Sequence, residues 1–277
     1  MKGTRTLAWH GHRLAYTEAG SGPPLLLLHG WAASSRFWEA AVRHLAPAFR
    51  CIALDWLGYG DSDRPGKPVG FDGHAEAVGT VLREFAIEGA TVVGHSMGGT
   101  LAARAAAAGA PIGRLVLVAP MVRAADGLNR RSRRLLWPGV RHLFRPLISL
   151  RPCARWIAAN STLAMPIPEL FITGAMEADR TVLMDDAVAL GKVDLTALLP
   201  SLRQPTLLIT GRNDAVLRPA PLEVALRLLP GAELVRLDRC GHCPPLEQPA
   251  RFAELVARFA GGGGATNERT AGLPPTR

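Results

Sequence analysis

The chain has 277 residues, 48% of them hydrophobic and 20% charged, with a formal net charge of +9. This length predicts one large globular domain with an insertion and requires no second hydrophobic core. No stretch approaches the roughly 18 consecutive apolar residues of a membrane span, and no signal-peptide pattern opens the sequence, so we expect a cytoplasmic protein.

Strands and helices alternate along the first part of the sequence. The predicted strands cover residues 6–9, 13–18, 24–28, 51–54, 91–93 and 115–118, and the predicted helices begin near residue 35 and cover 71–86 and 97–108. Residues 24–28 form a continuous apolar run, which is typical of a strand buried on both faces. Alternation of this kind predicts an α/β fold with a mainly parallel sheet and helices on both faces.

The alternation stops after Pro120 and resumes with strands at 206–210 and 233–237 and helices at 219–228 and 248–259. We therefore predict an α/β core made of residues 1–120 and 201–260. Residues 121–200 then form a cap (lid) over the strand ends. Residues 261–277 open with four glycines and carry almost no apolar side chains, so we expect a disordered tail.

The strongest chemical signal is the G-x-S-x-G pattern around Ser96, between a predicted strand and a predicted helix. In this context the pattern indicates a nucleophile elbow, in which Gly94 and Gly98 remove side chains that would collide with the neighbouring strand and helix. A Gly/Ser turn without catalytic meaning is the weaker interpretation. Ser96 is therefore the candidate nucleophile.

A serine hydroxyl requires a base and a third group that orients the base. Asp214 follows the predicted strand 206–210, and His242 follows the strand 233–237, which gives the chain order Ser, Asp, His expected for this architecture. Asp238 is an alternative acid, but it lies only four residues from His242. We prefer Asp214.

The remaining histidines divide into two groups. His10, His12, His44, His74 and His142 are interpreted as surface or turn residues. His95 lies inside the elbow and His29 in the loop after the strand 24–28. Together with Gly30, these two histidines are expected to line the substrate pocket.

A developing oxyanion requires two backbone donors. The N–H groups of Met97 and Trp31 are the candidates for this oxyanion hole, since Gly30 allows close approach of the backbone. A purely packing role for Trp31 is the alternative.

The four cysteines are too few and too scattered for a disulfide framework, so reduced thiols are expected. The sequence Cys240-Gly241-His242-Cys243 matches the tetrapeptide of protein disulfide isomerases. That motif should open a helix in a small fold, whereas this one follows a late strand and continues into two prolines. We expect neither redox chemistry nor a zinc site, because no second ligand pair is visible.

Taken together, these motifs resemble the α/β-hydrolase superfamily over roughly residues 5–120 and 200–260. The matching segments are residues 29–31, 55–62, 94–99, 211–214 and 241–242, with Pro244, Glu247 and Pro249. The resemblance implies no metal and no organic cofactor, and it gives the cap the main part in substrate choice. Serine at the elbow argues against the dehalogenase and epoxide hydrolase branches, which carry aspartate there.

We expect the protein to cleave a carboxylic ester or thioester with a hydrophobic acyl group through an acyl-enzyme on Ser96. Other serine members of the superfamily hydrolyse carbon–carbon bonds of vinylogous diketones or act as acyltransferases and perhydrolases, and these remain alternatives. A binding protein without catalytic activity is the least favoured hypothesis.

Nearly all of the net charge falls in the predicted cap. Nine arginines and one acidic residue, Asp126, lie between Met121 and Arg155. The simplest interpretation is a solvated helix face. Apolar residues interleave with the arginines, however, and this pattern suits a lid that rests on an anionic membrane surface or docks an acidic acyl carrier. Nucleic acid is not expected, because the segment carries no recognisable nucleic-acid motif.

Overall fold

The computed structural model describes residues 2–128, 150–159 and 169–264. The strands are β1 (Lys2–Trp9), β2 (His12–Ala19), β3 (Pro24–Leu28), β4 (Arg50–Leu54), β5 (Ala90–His95), β6 (Ile112–Val118), β7 (Thr206–Gly211) and β8 (Glu233–Leu237). The helices are α1 (Glu39–Leu45), α2 (Gly70–Glu84), α3 (Met97–Ala107), α4 (Ala124–Gly127), α5 (Arg151–Ala159), α6 (Glu169–Glu177), α7 (Arg180–Leu190), α8 (Ala220–Leu228), α9 (Pro244–Glu247) and α10 (Pro249–Ala260). None of these helices is long and apolar enough to cross a membrane.

One eight-stranded sheet organises the molecule, with strand order β1-β2-β4-β3-β5-β6-β7-β8. Strands β3 to β8 are parallel, whereas β2 pairs antiparallel with both β1 and β4. The predicted mainly parallel α/β sheet is therefore confirmed, with an antiparallel hairpin at one edge. Strand β5 is longer than the predicted residues 91–93 and runs up to the candidate nucleophile.

The position of the site follows from the strand order. From β3 the chain moves outward to β4, then returns across β3 to form β5 on its other side. Right-handed crossovers in opposite directions put α1 and α2 on opposite faces of the sheet. The loops that leave β3 and β5 separate at this reversal, which is where open α/β sheets bind ligands. Ser96 follows β5 directly, and Trp31 lies on the loop after β3.

The hydrophobic core lies on both faces of the parallel strands. Residues 25–28 of β3 are at most 1% exposed, and the equivalent stretches of β5, β6 and β7 are buried as well. Helix α1 packs on α10, and α2 packs on α3, which completes a helical layer on each face. This double cover explains why the central strands are continuous apolar runs without alternation.

The predicted division into core, cap and tail remains a prediction. Within the part of the chain that the structure describes, no strand lies between Val118 and Thr206, and helices α4 to α7 occupy that interval. Most of the arginine-rich stretch (129–149) and the end of the predicted tail (265–277) lie outside the described residues.

Helix α3 begins in very close contact with the sheet. A methyl group at Gly98 would lie 2.6 Å from the carbonyl oxygen of His29 and closer still to that of Leu28. Real Cβ atoms do not approach backbone atoms at such distances. Glycine at this position therefore lets the first turn of α3 rest on the end of β3.

We predict that Gly98→Ala lowers the free energy of unfolding by about 2 kcal/mol or more, measured by urea denaturation. Helix propensity alone would favour alanine by about 1 kcal/mol, but the clash with two backbone carbonyls outweighs it. Gly3→Ala is the matched control, because a methyl group there meets no atom within 4 Å. Equal stability of the two variants would contradict the prediction.

Candidate active site

Ser96 occupies a sharp turn between β5 and α3. Its backbone has φ +51° and ψ −114°, a left-handed conformation that is uncommon for a residue with a side chain. Such a conformation costs about 1–3 kcal/mol and persists only where the surrounding structure enforces it. The Ser96 N–H donates to the carbonyl of Val118 at 2.8 Å, and its side chain remains partly exposed. The turn thus presents a hydroxyl at the end of the sheet.

The structure brings His242 and Asp214 together from the loops after β8 and β7. His242 Nδ1 lies 2.8 Å from Asp214 Oδ2, and both side chains are about 5% exposed. The other carboxylate oxygen, Oδ1, accepts the N–H groups of Val216 and Leu217 at 2.8 and 2.9 Å. This geometry holds the proton on Nδ1 and leaves Nε2 of His242 to act as a base.

The carboxyl group of Asp214 is stabilised in its charged form. Burial by itself opposes ionisation, but the neighbouring His242 and the two backbone N–H donors outweigh it and place the pKa below its usual value. Asp214 is therefore an anion placed to hold the His242 imidazole in one orientation.

Asp238, the alternative acid, lies elsewhere. Its side chain is 78% exposed and pairs with Arg212 Nε at 2.6 Å. Because a carboxylate held in solvent by an arginine cannot also reach the buried His242 ring, the geometry selects Asp214.

The contacts between the Ser96 turn and the His242 loop are made by His95. Among the described residues Ser96 Oγ makes no hydrogen bond, to His242 or to any other group. The ring of His95 lies 4.9 Å from the ring of His242, centroid to centroid, and its Nε2 is 2.9 Å from the His242 carbonyl oxygen. Bonds between nucleophile and base are often long without substrate and tighten when it binds.

The loop after β3 passes directly over the nucleophile. A methyl group at Gly30 would lie 3.2 Å from Ser96 Cβ and 2.8 Å from His95 Nδ1, so only glycine allows this approach. The N–H groups of Trp31 and Met97 have no acceptor within the described parts of the chain. Met97 is the first residue of α3, where N–H groups have no partner within the helix. Both groups remain the predicted oxyanion donors.

The rings of His29 and His95 are 0% and 2% exposed, and burial lowers the pKa of each to about 3. His29 Nε2 accepts the Trp56 N–H at 3.2 Å, while Nδ1 donates to the Gly30 carbonyl at 2.7 Å. Both rings are therefore neutral structural groups that contact protein atoms. Their expected position in the lining of the substrate pocket stays a prediction.

His74 is not the surface residue that its sequence suggested. It is 1% exposed, and its Nε2 lies 3.2 Å from Asp186 Oδ2, which also accepts the Tyr59 hydroxyl at 2.8 Å. Burial, reinforced by the charge of Asp186, raises the pKa of Tyr59 well above its usual value. His74 lies three residues after Phe71 and four before Val78, on the buried stripe of α2, and this spacing was the signal available in the sequence.

Helices α6 and α7 are joined to the core beside the oxyanion loop. The Trp31 indole N–H donates to the Leu183 carbonyl at 2.7 Å, and the Asp179 N–H donates to the Gly58 carbonyl at 2.7 Å. A methyl group at Gly174 would lie 2.8 Å from the Ala32 carbonyl oxygen. This part of the predicted cap is therefore held against the loop that carries Trp31 and Ala32.

The thiols of Cys240 and Cys243, on either side of His242, are buried, and neither is part of a disulfide. Burial, with the charges of Glu247 and Asp214, raises the pKa of Cys240 to about 12, and the pKa of Cys243 lies well above its usual value. Thiol–disulfide exchange requires a thiolate, so these two groups are poorly suited to it.

A cavity of about 520 Å³ adjoins the Asp214 side of the site. Its lining combines apolar side chains, among them Met121, Val122, Leu217 and Leu222, with three arginines, Arg212, Arg218 and Arg236. Ser96 and His242 are not among its lining residues. The volume falls in the range of small-molecule sites.

The fold and this arrangement of serine, histidine and aspartate are those of an α/β hydrolase. Residues 25–255 match the model of the alpha/beta hydrolase family. The chain therefore belongs to the α/β hydrolase family, and the prediction of a hydrolase of this fold is confirmed.

Individual relatives extend the comparison. The chain is 30% identical over 256 residues to the AB hydrolase superfamily protein YisY of Bacillus subtilis, covering 88% of this chain and 93% of that protein. It is 29% identical over 276 residues to the pimeloyl-(acyl-carrier protein) methyl ester esterase of Vibrio vulnificus, covering 90% and 98%. A solved esterase from Rhodococcus is 26% identical with a TM-score of 0.76, covering 94% and 99%.

We predict that Asp214→Asn lowers kcat by about 10³- to 10⁴-fold, because an amide stabilises the wrong tautomer of His242. Asp238→Asn is the matched control and should change kcat no more than about twofold, as expected for an exposed residue. Both values come from steady-state hydrolysis of a p-nitrophenyl ester. A large loss in the Asp238 variant with an active Asp214 variant would reverse the assignment.

Proposed function

We propose that the protein is a serine esterase in which Ser96 attacks an acyl carbonyl, His242 is the general base and Asp214 orients the base. The observation that carries this proposal is the 2.8 Å contact between Asp214 and His242, on a loop that contacts the residue before the strained Ser96. Ester hydrolysis also agrees with the names of the Vibrio and Rhodococcus relatives.

In the acylation step, His242 Nε2 takes the proton of the Ser96 hydroxyl as Oγ forms a bond to the carbonyl carbon. The carbonyl oxygen becomes an oxyanion, and the Trp31 and Met97 N–H groups are the donors proposed to stabilise it. The tetrahedral intermediate then collapses, and the leaving alcohol takes the proton from His242. Deacylation repeats these events with water in place of the serine hydroxyl.

We infer a hydrophobic acyl group from the apolar side chains beside Asp214. Ser96 does not line the cavity of about 520 Å³ there, but a chain of several methylene groups that extends from Ser96 past Asp214 would meet its apolar residues Met121, Val122 and Leu222. Burial of each methylene stabilises the complex by about 0.8 kcal/mol. We therefore infer a preference for acyl groups longer than acetyl.

The arginine-rich segment suggests how the acyl group is presented. Nine arginines and one acidic residue between Met121 and Arg155 make this stretch strongly basic. An acidic acyl carrier complements that charge, and the Vibrio relative is named for a methyl ester carried by such a protein. We therefore infer that the substrate is an acyl ester or thioester attached to an acidic carrier.

The esterase assignment is tested by intact-mass analysis after incubation with a fluorophosphonate. We expect one covalent adduct on the wild type and none on Ser96→Ala. Turnover of p-nitrophenyl esters of increasing chain length then gives the size of the acyl pocket, with an optimum beyond acetyl. Equal labelling of both proteins would mean that Ser96 is not the nucleophile. Turnover of a vinylogous diketone in place of the esters would assign carbon–carbon bond hydrolysis.

The carrier assignment is tested by replacing four cap arginines, Arg130, Arg131, Arg133 and Arg134, with glutamine. We expect kcat/KM for a carrier-bound ester to fall by about 10- to 100-fold, because each exposed charge at a docking surface contributes up to about 1 kcal/mol or assists association. Turnover of a short soluble ester should be unchanged, since the triad is intact.

The matched control carries the same four charge changes at exposed arginines outside the cap, Arg43, Arg203, Arg227 and Arg251. It should leave both reactions unchanged. Equal effects of the cap variant on the soluble and carrier-bound esters would contradict a docking role. A loss confined to an ester in anionic vesicles would assign the segment to a membrane surface instead.

A further inference from the structure

The backbone around His242 is held at three consecutive points. Glu247 Oε2 accepts the Gly241 N–H at 2.8 Å, and Oε1 accepts the Cys243 N–H at 2.9 Å. Between these two bonds, the carbonyl oxygen of His242 itself lies 2.9 Å from His95 Nε2. The peptide group that follows His242 and the one that precedes Gly241 are therefore held by two side chains that do not hydrogen-bond to the imidazole ring of His242.

We propose that His95 and Glu247 are positioning residues that fix the backbone of His242 relative to Ser96. This inference rests on the proposed function, in which His242 is the base. Asp214 sets the orientation of the imidazole ring, but it cannot by itself set the position of the His242 Cβ atom, to which the ring is attached. That position is determined by the backbone of residues 241–243, which His95 and Glu247 hold.

The contribution of His95 follows from its place in the chain. His95 directly precedes Ser96, so the hydrogen bond from its ring connects the turn that carries the nucleophile to the loop that carries His242. Because a carbonyl oxygen only accepts, Nε2 of His95 must carry the proton. The ring is stacked on Phe37 with centroids 4.5 Å apart and an interplanar angle of 21°. On another side, the backbone of Gly30 leaves no room for a methyl group. The ring is thus fixed in one orientation, in which its Nε2–H group points at the His242 carbonyl oxygen.

His95 also retains this proton over the working range of an esterase. Burial, together with the nearby His242, lowers the pKa of His95 to about 3, so the ring stays neutral and does not gain a second proton. Its Nδ1 has no hydrogen-bond partner within the described residues. A buried acceptor without a partner is costly, which indicates that the position is constrained by the Nε2 bond and by shape.

Glu247 holds the backbone of the His242 loop through two further hydrogen bonds. It ends the short helix α9, and its two oxygens divide between the N–H groups on either side of His242. Loss of one oxygen leaves one of these N–H groups without its acceptor. Hydrogen bonds from backbone N–H groups to a carboxylate are stronger than those to a neutral acceptor, so the pair is a strong local constraint.

The test compares His95→Phe with His95→Gln. Phenylalanine keeps the stacking on Phe37 but has no donor, whereas glutamine keeps an N–H that can reach the His242 carbonyl. We expect the phenylalanine variant to lose about 10- to 100-fold in kcat with KM nearly unchanged, since a displacement of the base by about 1 Å has effects of this size. The glutamine variant should recover most of the loss.

Glu247→Gln provides an independent variant, because an amide offers one acceptor where two are required. We expect a loss in kcat of about 10-fold, again without a change in KM. Glu254→Gln is the matched control, since Glu254 is exposed and pairs with Arg251 on α10. Thermal unfolding confirms that each variant is folded.

A second measurement does not depend on turnover. Proton NMR of the low-field imidazole N–H between His242 and Asp214 reports the position of the ring. This signal should persist in wild type, Ser96→Ala and His95→Gln, and should broaden or disappear in His95→Phe and Glu247→Gln. Inactivity of the wild type would refute the proposed function alone, whereas unchanged kcat and an unchanged NMR signal in folded variants would overturn the positioning roles.

Discussion

The close packing of backbone at the carboxyl ends of β3 and β5 is the constraint on which the site depends. Gly30 and Gly98 bring the loop after β3 and the first turn of α3 so near to each other that no side chain fits between them. The left-handed backbone of Ser96 is the conformation that remains for the residue at this junction. The strain is therefore maintained by the sheet and helix around it, and it directs the serine hydroxyl out of the sheet.

Burial has opposite consequences for the ionisable groups of the site. His29 and His95 lose contact with water, and the weaker opposing effects of a backbone hydrogen bond on each ring and of the Asp214 charge on His95 do not compensate, so their pKa values fall to about 3 and they remain neutral. Asp214 is also largely removed from water, yet the imidazole of His242 and two backbone donors keep it charged. A single anion thus faces the base, while the other buried histidines around it carry no competing charge. The negative charge of Asp214 and the neutrality of the His29 and His95 rings both result from this difference in their partners.

Much of the site could be predicted from the sequence because its signals are local. The elbow around Ser96, and Asp214 and His242 immediately after their strands, each depend on a few neighbouring residues, and the parallel sheet then brings the strand ends together. The contact between His74 and Asp186 could not be predicted, since 112 residues separate the pair and neither has a motif. The two hydrogen bonds from backbone N–H groups to Glu247 could not be predicted either. Glu247 is among the residues that resemble the family, but its role depends on which N–H groups its carboxylate reaches in the folded chain.

The contacts between α7 and the core link a helix of the predicted cap to the loop beside Ser96. Asp186 is fully buried, and one of its oxygens has no hydrogen-bond partner within the described residues, so it stabilises the fold little by itself. Its bonds to Tyr59 and His74 nevertheless define one register of α7 on the core. Leu183 lies one helical turn earlier, and its carbonyl holds the Trp31 indole. The register of α7 on the core therefore fixes the position of the loop that carries Trp31, and through Gly30 this loop contacts the turn that holds Ser96.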